Sequence, residues 1–175
     1  LARIAVTCCC VLLLLPRPAG ADGPVLPTGG HVRIGKAAIS SAGRTLSVTQ
    51  STDRAVIDWK GFSVGRGAGV TLTLPSSRSA VLNRVTGSTT STIAGSVRSN
   101  GQVLLVNPNG ILITPTGVVR ASGFVGSTLG ISDDDFMSGK RTFKGTGNSA
   151  GVVNRGAIEI GQGGYAALIG GSIDN

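Results

Sequence analysis

The chain has 175 residues, a formal net charge of +8 and 28 glycines, whereas aromatic residues make up only 3%. This length is enough for one domain with a sizeable core. Cys8, Cys9 and Cys10 are the only cysteines, so the rest of the chain can build neither a disulfide nor a cysteine-ligated metal site. The basic residues are dispersed and lack interleaved aromatic stacking partners, so we expect no nucleic-acid partner.

The first 21 residues have the layout of a secretory signal peptide. A positive start is followed by an uncharged apolar run over residues 4–15, which is too short to cross a bilayer as a helix. The small residues Ala19 and Ala21 fit the pattern that signal peptidase cleaves. A buried N-terminal helix is the alternative, but adjacent cysteines and flanking prolines are poor choices for it. We therefore predict cleavage after Ala21 and a mature domain over residues 22–175.

The mature chain has the composition of short strands. Val, Ile, Leu, Thr and Ser dominate, and no segment sustains the apolar periodicity of a helix. Apolar residues alternate instead, in short runs separated by glycine. The alternating sets are, in chain order, Val32/Ile34, Leu46/Val48, Ala55/Ile57/Trp59, Val70/Leu72/Leu74, Leu104/Val106, Ile111/Ile113 and Ile158/Ile160. We expect each set to line the interior of a β-rich domain.

Glycine or asparagine precedes many of these strands. The segments 100–105 and 154–160 both run from asparagine through glycine into alternating aliphatic residues. Such units suit a parallel β-helix, in which each rung completes the core of its neighbours. An antiparallel β-sandwich gives a similar strand spacing. Periodicity alone leaves both architectures open.

The most specific turn of the chain separates two runs of β-forming residues. It consists of Asn107, Pro108, Asn109 and Gly110. Proline removes an amide donor and fixes φ, glycine accepts a positive φ, and asparagine side chains bond the nearby backbone. The segment predicts a strand, a tight corner and a second strand.

One short helix is predicted after Ser132. Ser132 and Asp135 have the spacing of a capping box, and three aspartates lie in the first turn, where they suit the helix dipole. Phe136 and Met137 would face the core, and Gly139 would end the helix. Three aspartates could also bind Ca²⁺, but the alternating ligands, glycine and distal glutamate of an EF-hand loop are missing.

Two further segments match catalytic or phosphate-binding motifs only in part. Residues 61–65 read G-x-S-x-G, but His31 lies upstream of Ser63, whereas the hydrolase pattern needs the histidine downstream. Residues 30–37 approach a P-loop, but Ala37 replaces the hydroxyl residue and the segment alternates as a strand. Paired carboxylates for glycoside cleavage are hard to assemble with a single glutamate. We expect no enzyme, no cofactor and no metal.

Several segments occur in an order that is more specific than any of them alone. They are Leu26–Gly30, Ile57–Gly65, Asn83–Gly87, Asn107–Gly110, Ser127–Ser132, Asp135–Phe136 and Gly163–Gly170. Together they resemble the N-terminal two-partner-secretion domain of filamentous haemagglutinin-like exoproteins, over residues 26–175. The chain departs from the family pattern at Ile113, Thr114 and Gly126, which concern packing and turn detail.

The resemblance implies an all-β, right-handed parallel β-helix with an N-terminal β cap and one short helix. It also implies export through the Sec translocon and recognition in the periplasm by a cognate TpsB-type outer-membrane transporter with POTRA domains. The domain would direct secretion of a large adhesin or haemagglutinin to the medium or cell surface and nucleate its folding. The fold and transporter-recognition motif would comprise Asn83, Gly87, Asn107, Pro108, Asn109 and Gly110.

Other functions stay open alongside this one. A free-standing carbohydrate- or haem-binding β-helix and the stalk of a contact-dependent toxin are the alternatives. Polysaccharide lyases share the β-helix, but a fold does not confer an activity. Residues 172–175 contain no turn or cap signal, so we expect a domain that is incomplete at its C-terminal end. Host-cell or carbohydrate receptors would then be bound by downstream regions.

Overall fold

The computed structural model describes residues 25–145, 147 and 150–175. The predicted signal peptide, with Ala19 and Ala21 at its cleavage site, lies outside these residues. The described chain forms β1 (His31–Ile34), β2 (Ala37–Ala42), β3 (Thr45–Gln50), β4 (Arg54–Trp59), β5 (Gly69–Thr73), β6 (Ala80–Val85), β7 (Ser91–Ile93), β8 (Ser96–Ser99), β9 (Gln102–Val106), β10 (Ile111–Ile113), β11 (Val118–Ser127), β12 (Gly130–Ile131), α1 (Asp133–Met137), β13 (Phe143–Lys144), β14 (Val152–Asn154), β15 (Ala157–Ile169) and β16 (Ile173–Asp174). The prediction of an all-β protein with one short helix is confirmed.

The strands wind into a parallel β-helix with three faces. Face A stacks β3, β5, β8 and the first halves of β11 and β15. Face B stacks β4, β6, β9 and the second halves of β11 and β15. Face C stacks β7, β10, β14 and β16, and an isolated bridge from Val64 extends it. Because the strands within each face pair in parallel, the antiparallel sandwich is excluded.

The interior is built from columns of aliphatic residues, each contributed by a different rung. One column runs, in register, through Leu46, Val70, Val97, Val119 and Ile158 on face A. The first four of these side chains are buried in the main core, and Ile158 is half-buried. Neighbouring strands lie about 4.8 Å apart, so each side chain packs on those of the rungs before and after it.

Antiparallel strands close the N-terminal end of the solenoid. β1 pairs with β4, and β2 pairs with β3 over its full length. A Cβ on Gly30 would stand 2.5 Å from the Trp59 ring, so only glycine lets the entering chain lie against the first rung. The near match to a P-loop is therefore a strand, a turn at Gly35 and a second strand, with no helix after it.

A long excursion between β11 and β14 leaves the solenoid and covers the outside of face B. The Oγ atom of Ser132 accepts the hydrogen bond of the Asp135 amide at 3.1 Å, as the capping box predicts, and Gly139 follows the helix with φ +84°. Phe136 is fully buried against outward-pointing side chains of face B, in a second cluster that includes Leu82 and Leu104.

The interior position expected for the alternating sets is wrong for two of them. In the first set, Val32 packs on the main core but Ile34 packs on the outer cluster, because the register shifts between these two residues. The second set lies in the strand over residues 102–106. Leu104 and Val106 alternate as predicted, but they point outwards and lie beneath the excursion. Val103 and Leu105 hold the interior positions instead. All four are buried, because β9 is covered on both of its faces.

The described ranges contain neither a membrane-spanning helix nor a cluster of metal-binding side chains. None of their helices has the length and hydrophobicity to cross a bilayer. No group of three or more histidine, cysteine, aspartate or glutamate side chains in these ranges could hold a metal ion. Of the three adjacent aspartates, Asp133 contacts arginine side chains instead.

Candidate functional site

Two of the predicted motif segments lie on top of each other at the corner between faces B and C. The turn over residues 86–90 joins β6 to β7, and the turn over residues 107–110 joins β9 to β10. These are equivalent turns of successive rungs. We call the stack that they form with residues 60–63 of the preceding rung the BC corner.

Asn107 is the buried centre of the BC corner, with no exposed surface. Its Nδ2 donates to the Thr89 carbonyl oxygen and to Ser91 Oγ, both at 2.9 Å. Its Oδ1 accepts the Asn109 amide at 3.0 Å, which closes an Asx turn. The side chain therefore shapes its own turn and bonds it to the rung below. Removing it would leave the buried Ser91 hydroxyl and two part-buried backbone groups without this partner.

Asn109 extends this link towards the surface. Its Nδ2 donates to the Gly87 carbonyl oxygen at 2.8 Å, and its own carbonyl accepts Thr90 Oγ1 at 2.8 Å. Gly110 closes the turn, since its amide donates to the Asn107 carbonyl at 3.1 Å and its φ is +108°. The predicted positive φ at this glycine is therefore present. Pro108 and Asn109 are only half-buried, whereas Gly110 is buried.

Gly87 is required by the close approach of the preceding rung. A Cβ at this position would stand 2.1 Å from the Lys60 carbonyl oxygen. Its neighbour Thr86 donates to the Trp59 carbonyl from both its amide, at 2.8 Å, and its hydroxyl, at 3.0 Å. The BC corner is thus a continuous polar stack over three rungs, and its outer rim consists of the exposed residues 88–90.

Asn83 lies away from this corner, inside the solenoid. It occupies the register position between Ile57 and Leu105, and its side chain is fully buried. Its Oδ1 accepts the Trp59 Nε1 proton at 3.0 Å, and its Nδ2 donates to the Leu104 carbonyl at 3.4 Å. The predicted site residues therefore separate into one interior anchor, Asn83, and one corner cluster.

Ser63 of the G-x-S-x-G segment also belongs to the BC corner. Its Oγ accepts the Thr92 amide at 3.0 Å and donates to the Thr90 carbonyl at 3.4 Å. His31 is placed on the cap strand, opposite Asp58. The hydroxyl therefore joins two rungs.

A cluster of four charged residues was not anticipated from the sequence. Arg33 of the cap and Arg84 of β6 both contact Asp58 of β4 and Asp133 at the start of α1. Arg33 Nε donates to Asp133 Oδ2 at 2.7 Å, and Arg84 Nε donates to Asp58 Oδ1 at 2.9 Å. Arg84 Nη1 lies 2.8 Å from Asp133 Oδ1, an ion pair that lacks hydrogen-bond alignment. The cluster fastens the excursion to the cap and the first two rungs.

In this cluster, burial and contacts with opposite charges shift the pKa values of Asp133 and Arg84 in opposite directions. Partial burial would raise this pKa, but the hydrogen bond from Arg33 and the close Arg84 guanidinium outweigh it and hold the pKa below its ordinary value. Partial burial would lower the pKa of Arg84, and its contacts with Asp133 and Asp58 raise it above its ordinary value. Both residues are therefore charged at neutral pH.

Comparison with known proteins gives a consistent assignment. The family model described as "TPS secretion domain" matches residues 24–175. The crystal structure of the HMW1 secretion domain from Haemophilus influenzae superposes with a TM-score of 0.80 and 37% sequence identity, covering 84% of this chain and 40% of that chain.

Two curated relatives are heme/hemopexin-binding proteins of Haemophilus influenzae. One is 37% identical over 103 residues, which is 59% of this chain and 11% of that protein. The other is 36% identical over 83 residues, which is 47% of this chain and 9% of that protein. The chain thus spans about a tenth of the length of these relatives. With the family match over nearly all described residues, the likeness to a solved secretion domain and the five-rung β-helix, the chain belongs to the TPS secretion domain family of exported exoproteins.

Proposed function

We propose that this domain is the targeting signal by which a cognate TpsB-type outer-membrane transporter recognises a large exoprotein. The chain would pass through the Sec translocon, lose its signal peptide by cleavage after Ala21, and meet the POTRA domains of the transporter in the periplasm. It would then be secreted or displayed on the cell surface. The family assignment supports the existence of such a transporter partner.

The residues of the motif differ in solvent exposure, and we assign their roles in folding and recognition from this difference. Asn83 and Asn107 are fully buried, so in the folded domain they can act only through stability. Pro108, Asn109 and the adjoining rim over residues 88–90 are accessible. We therefore assign folding to the buried asparagines, and contact with the transporter to Pro108, Asn109 and the rim.

The domain would also start the folding of the exoprotein outside the cell. Each new rung buries aliphatic residues at roughly 25 cal/mol per Å² of apolar surface, so a completed rung is worth several kcal/mol. A folded rung cannot slide back through a transporter that passes an extended chain. Folding on the outer side would thus give export its direction.

We assign no catalytic activity or cofactor to the domain itself. Ser63, the candidate nucleophile of the G-x-S-x-G segment, has backbone groups of Thr90 and Thr92 in the next rung as its partners. The similarity to heme/hemopexin-binding proteins favours haem or hemopexin binding as the task of the whole exoprotein, with an adhesin or haemagglutinin as the other candidate. A free-standing carbohydrate- or haem-binding β-helix is the competing function for the domain.

The experiment compares two asparagine corners of the same β-helix. Asn109→Ala removes a side chain from the BC corner. Asn100→Ala is the matched control, because Asn100 bonds the Leu74 backbone at 2.7 and 2.8 Å at the corner between faces A and B. With the cognate transporter co-expressed, we expect Asn109→Ala to lower the secreted-to-periplasmic ratio and Asn100→Ala to leave it unchanged at comparable thermal stability. Equal ratios for both variants would show that the BC corner is not a recognition site.

A further inference from the structure

The outer surface of face A carries a row of arginines that only the fold brings together. Outward positions of successive strands align in register as Ser47, Thr71, Arg98, Arg120 and Glu159. Arg98 and Arg120 are exposed neighbours, one rung apart. Stacking two like charges directly beside each other is unfavourable in a sheet unless something compensates for it.

A groove follows this row across the rungs. One depression of about 390 Å³ is lined by Arg66, Arg98 and Arg120 above a floor of small residues that includes Gly69 and Gly95, and no carboxylate lines it. A second, of about 420 Å³, shares Arg98 and Arg120 and adds hydroxyl and amide groups from Thr71, Thr73, Ser99 and Asn100. We call this continuous surface the arginine groove.

Arg44 adds a fourth cation beside the groove. Its guanidinium donates to the carbonyl oxygens of Arg66, at 2.7 Å, and Gly67, at 3.0 Å, which holds it next to the first depression. Glu159 is the single acid in the outward row, and it lies in the fifth rung. The first four rungs of face A therefore present a positive surface.

The contacts of Glu159 show that an arginine of this row can bind a carboxylate group. Arg120 donates to both oxygens of this carboxylate, from Nε and from Nη2, the latter at 3.0 Å. This is the bidentate fork that guanidinium groups form with carboxylates. The hydrogen bonds from Arg120, together with the nearby charge of Arg98, hold the pKa of Glu159 below its ordinary value. Arg98 occupies the equivalent position one rung earlier, and no carboxylate of the described residues pairs with it.

We propose that the arginine groove binds a linear polysaccharide that carries carboxylate groups. Carboxylates would occupy Arg98 and the neighbouring cations, and sugar hydroxyls would bond Thr71, Thr73 and Asn100. The groove lacks aromatic platforms for nucleic-acid bases. Its central strands, β5, β8 and β11, are paired on both sides, so no free strand edge is available to a peptide backbone. A sugar polymer that carries carboxylate and hydroxyl groups fits an open groove of this kind better than either.

The test measures binding of sodium alginate oligomers to the purified chain at about 0.15 M salt, where distant charges are screened. Arg98→Gln should weaken binding about three- to fivefold, as loss of one exposed ion pair predicts. Arg78→Gln is the matched control, since it removes one exposed arginine that lines neither depression, and it should change affinity less than twofold.

A second pair of variants removes acidic residues, and one of them should raise the affinity for alginate. Glu159→Gln frees the Arg120 fork and should strengthen binding about threefold, whereas Asp53→Asn, which removes a negative charge from the turn between β3 and β4, should not. Neutral dextran of matched length should fail to bind. Equal affinity for alginate, poly-L-glutamate and oligo-dT, or equal effects of Arg98→Gln and Arg78→Gln, would reduce the groove to general electrostatic attraction and overturn the proposal. Alginate binding is measured on the purified chain and does not depend on secretion. A negative result would therefore contradict the groove proposal without contradicting transporter recognition, and a secretion defect would leave the groove proposal intact.

Discussion

Trp59 donates its indole proton to Asn83 Oδ1 at 3.0 Å inside the solenoid, where both side chains are almost completely buried. The bond crosses from the first rung to the second, and the polar group stands in a column of otherwise aliphatic residues. A buried indole N–H requires a partner. Asn83 thus specifies where Trp59 sits, and with it the register of the first two rungs.

The first prediction concerns this pair. Asn83→Ala leaves the indole N–H and the Leu104 carbonyl without their partner, so the free energy of unfolding should fall by about 1–3 kcal/mol. Trp59 is the only tryptophan, so its fluorescence during urea unfolding reports the change directly. An unchanged midpoint and unchanged native emission would contradict the role of Asn83 as an anchor.

The second prediction concerns two glycines at the BC corner. Gly87→Ala forces a Cβ against the Lys60 carbonyl at 2.1 Å, so we expect a loss of about 1–3 kcal/mol as in other overpacked sites. At Gly61 the nearest atom to an added Cβ is 3.5 Å away and φ is not positive, so Gly61→Ala is the matched control and should be nearly neutral. Chemical denaturation decides, and equal midpoints for the two variants would refute the close approach at Gly87.

The third prediction concerns pH. The pKa of Asp133 is lower in the folded state than in the unfolded chain, so its contribution is fully present above the unfolded pKa and is lost as pH falls through the folded pKa. Asp133→Asn should therefore be less stable than the wild type at pH 7, and the difference should narrow below about pH 4.

Asp134→Asn is the control for this effect. Asp134 lies in the same first helical turn but is exposed and has no ion pair among the described residues, so it tests the helix dipole alone. Thermal unfolding from pH 2 to pH 8 gives the comparison. A difference between Asp133→Asn and wild type that is constant over this range would contradict the ion cluster.

The fourth prediction concerns the excursion over face B. Phe136 is fully buried in the outer cluster, so Phe136→Ala should lower the free energy of unfolding by about 3–5 kcal/mol. Met137 is only partly buried there, and Met137→Ala should have a clearly smaller effect. Hydrogen exchange of β9 amides would distinguish a detached helix from global unfolding. Full protection of β9 in Phe136→Ala would show that the excursion is not a cover.

Local patterns were sufficient to predict much of the fold. The capping box at Ser132, the glycine after the helix and most alternating strands are found where the sequence indicates them, because these features depend on neighbours within a few residues. The choice between a β-helix and a sandwich depended on the family resemblance, since both have the same strand spacing.

Contacts between rungs could not be read from the sequence in the same way. Leu104 has the spacing of an interior residue, but a segment about 30 residues further along the chain covers it from outside. Arg66, Arg98 and Arg120 look dispersed along the chain, and only the winding of the solenoid gathers them in one groove. Asn83 has the sequence context of an ordinary strand residue, and its position as the partner of Trp59 depends on the preceding rung. Each difference depends on which residues stand one rung away.

The sequence separation between hydrogen-bonded residues determines the order in which these bonds can form as the chain emerges. Hydrogen bonds at the BC corner join residues about one rung apart: Asn107 reaches back 18 residues to Thr89, and Asn109 reaches back 22 residues to Gly87. A chain that emerges from its N-terminus can therefore fasten each rung as soon as that rung appears. The bond between Arg33 and Asp133 spans 100 residues and cannot form until the fourth rung has emerged. Until then Asp58 is the only acidic member of the ion cluster that can neutralise Arg33 and Arg84, and the arrival of Asp133 completes the cluster and fixes the excursion on face B.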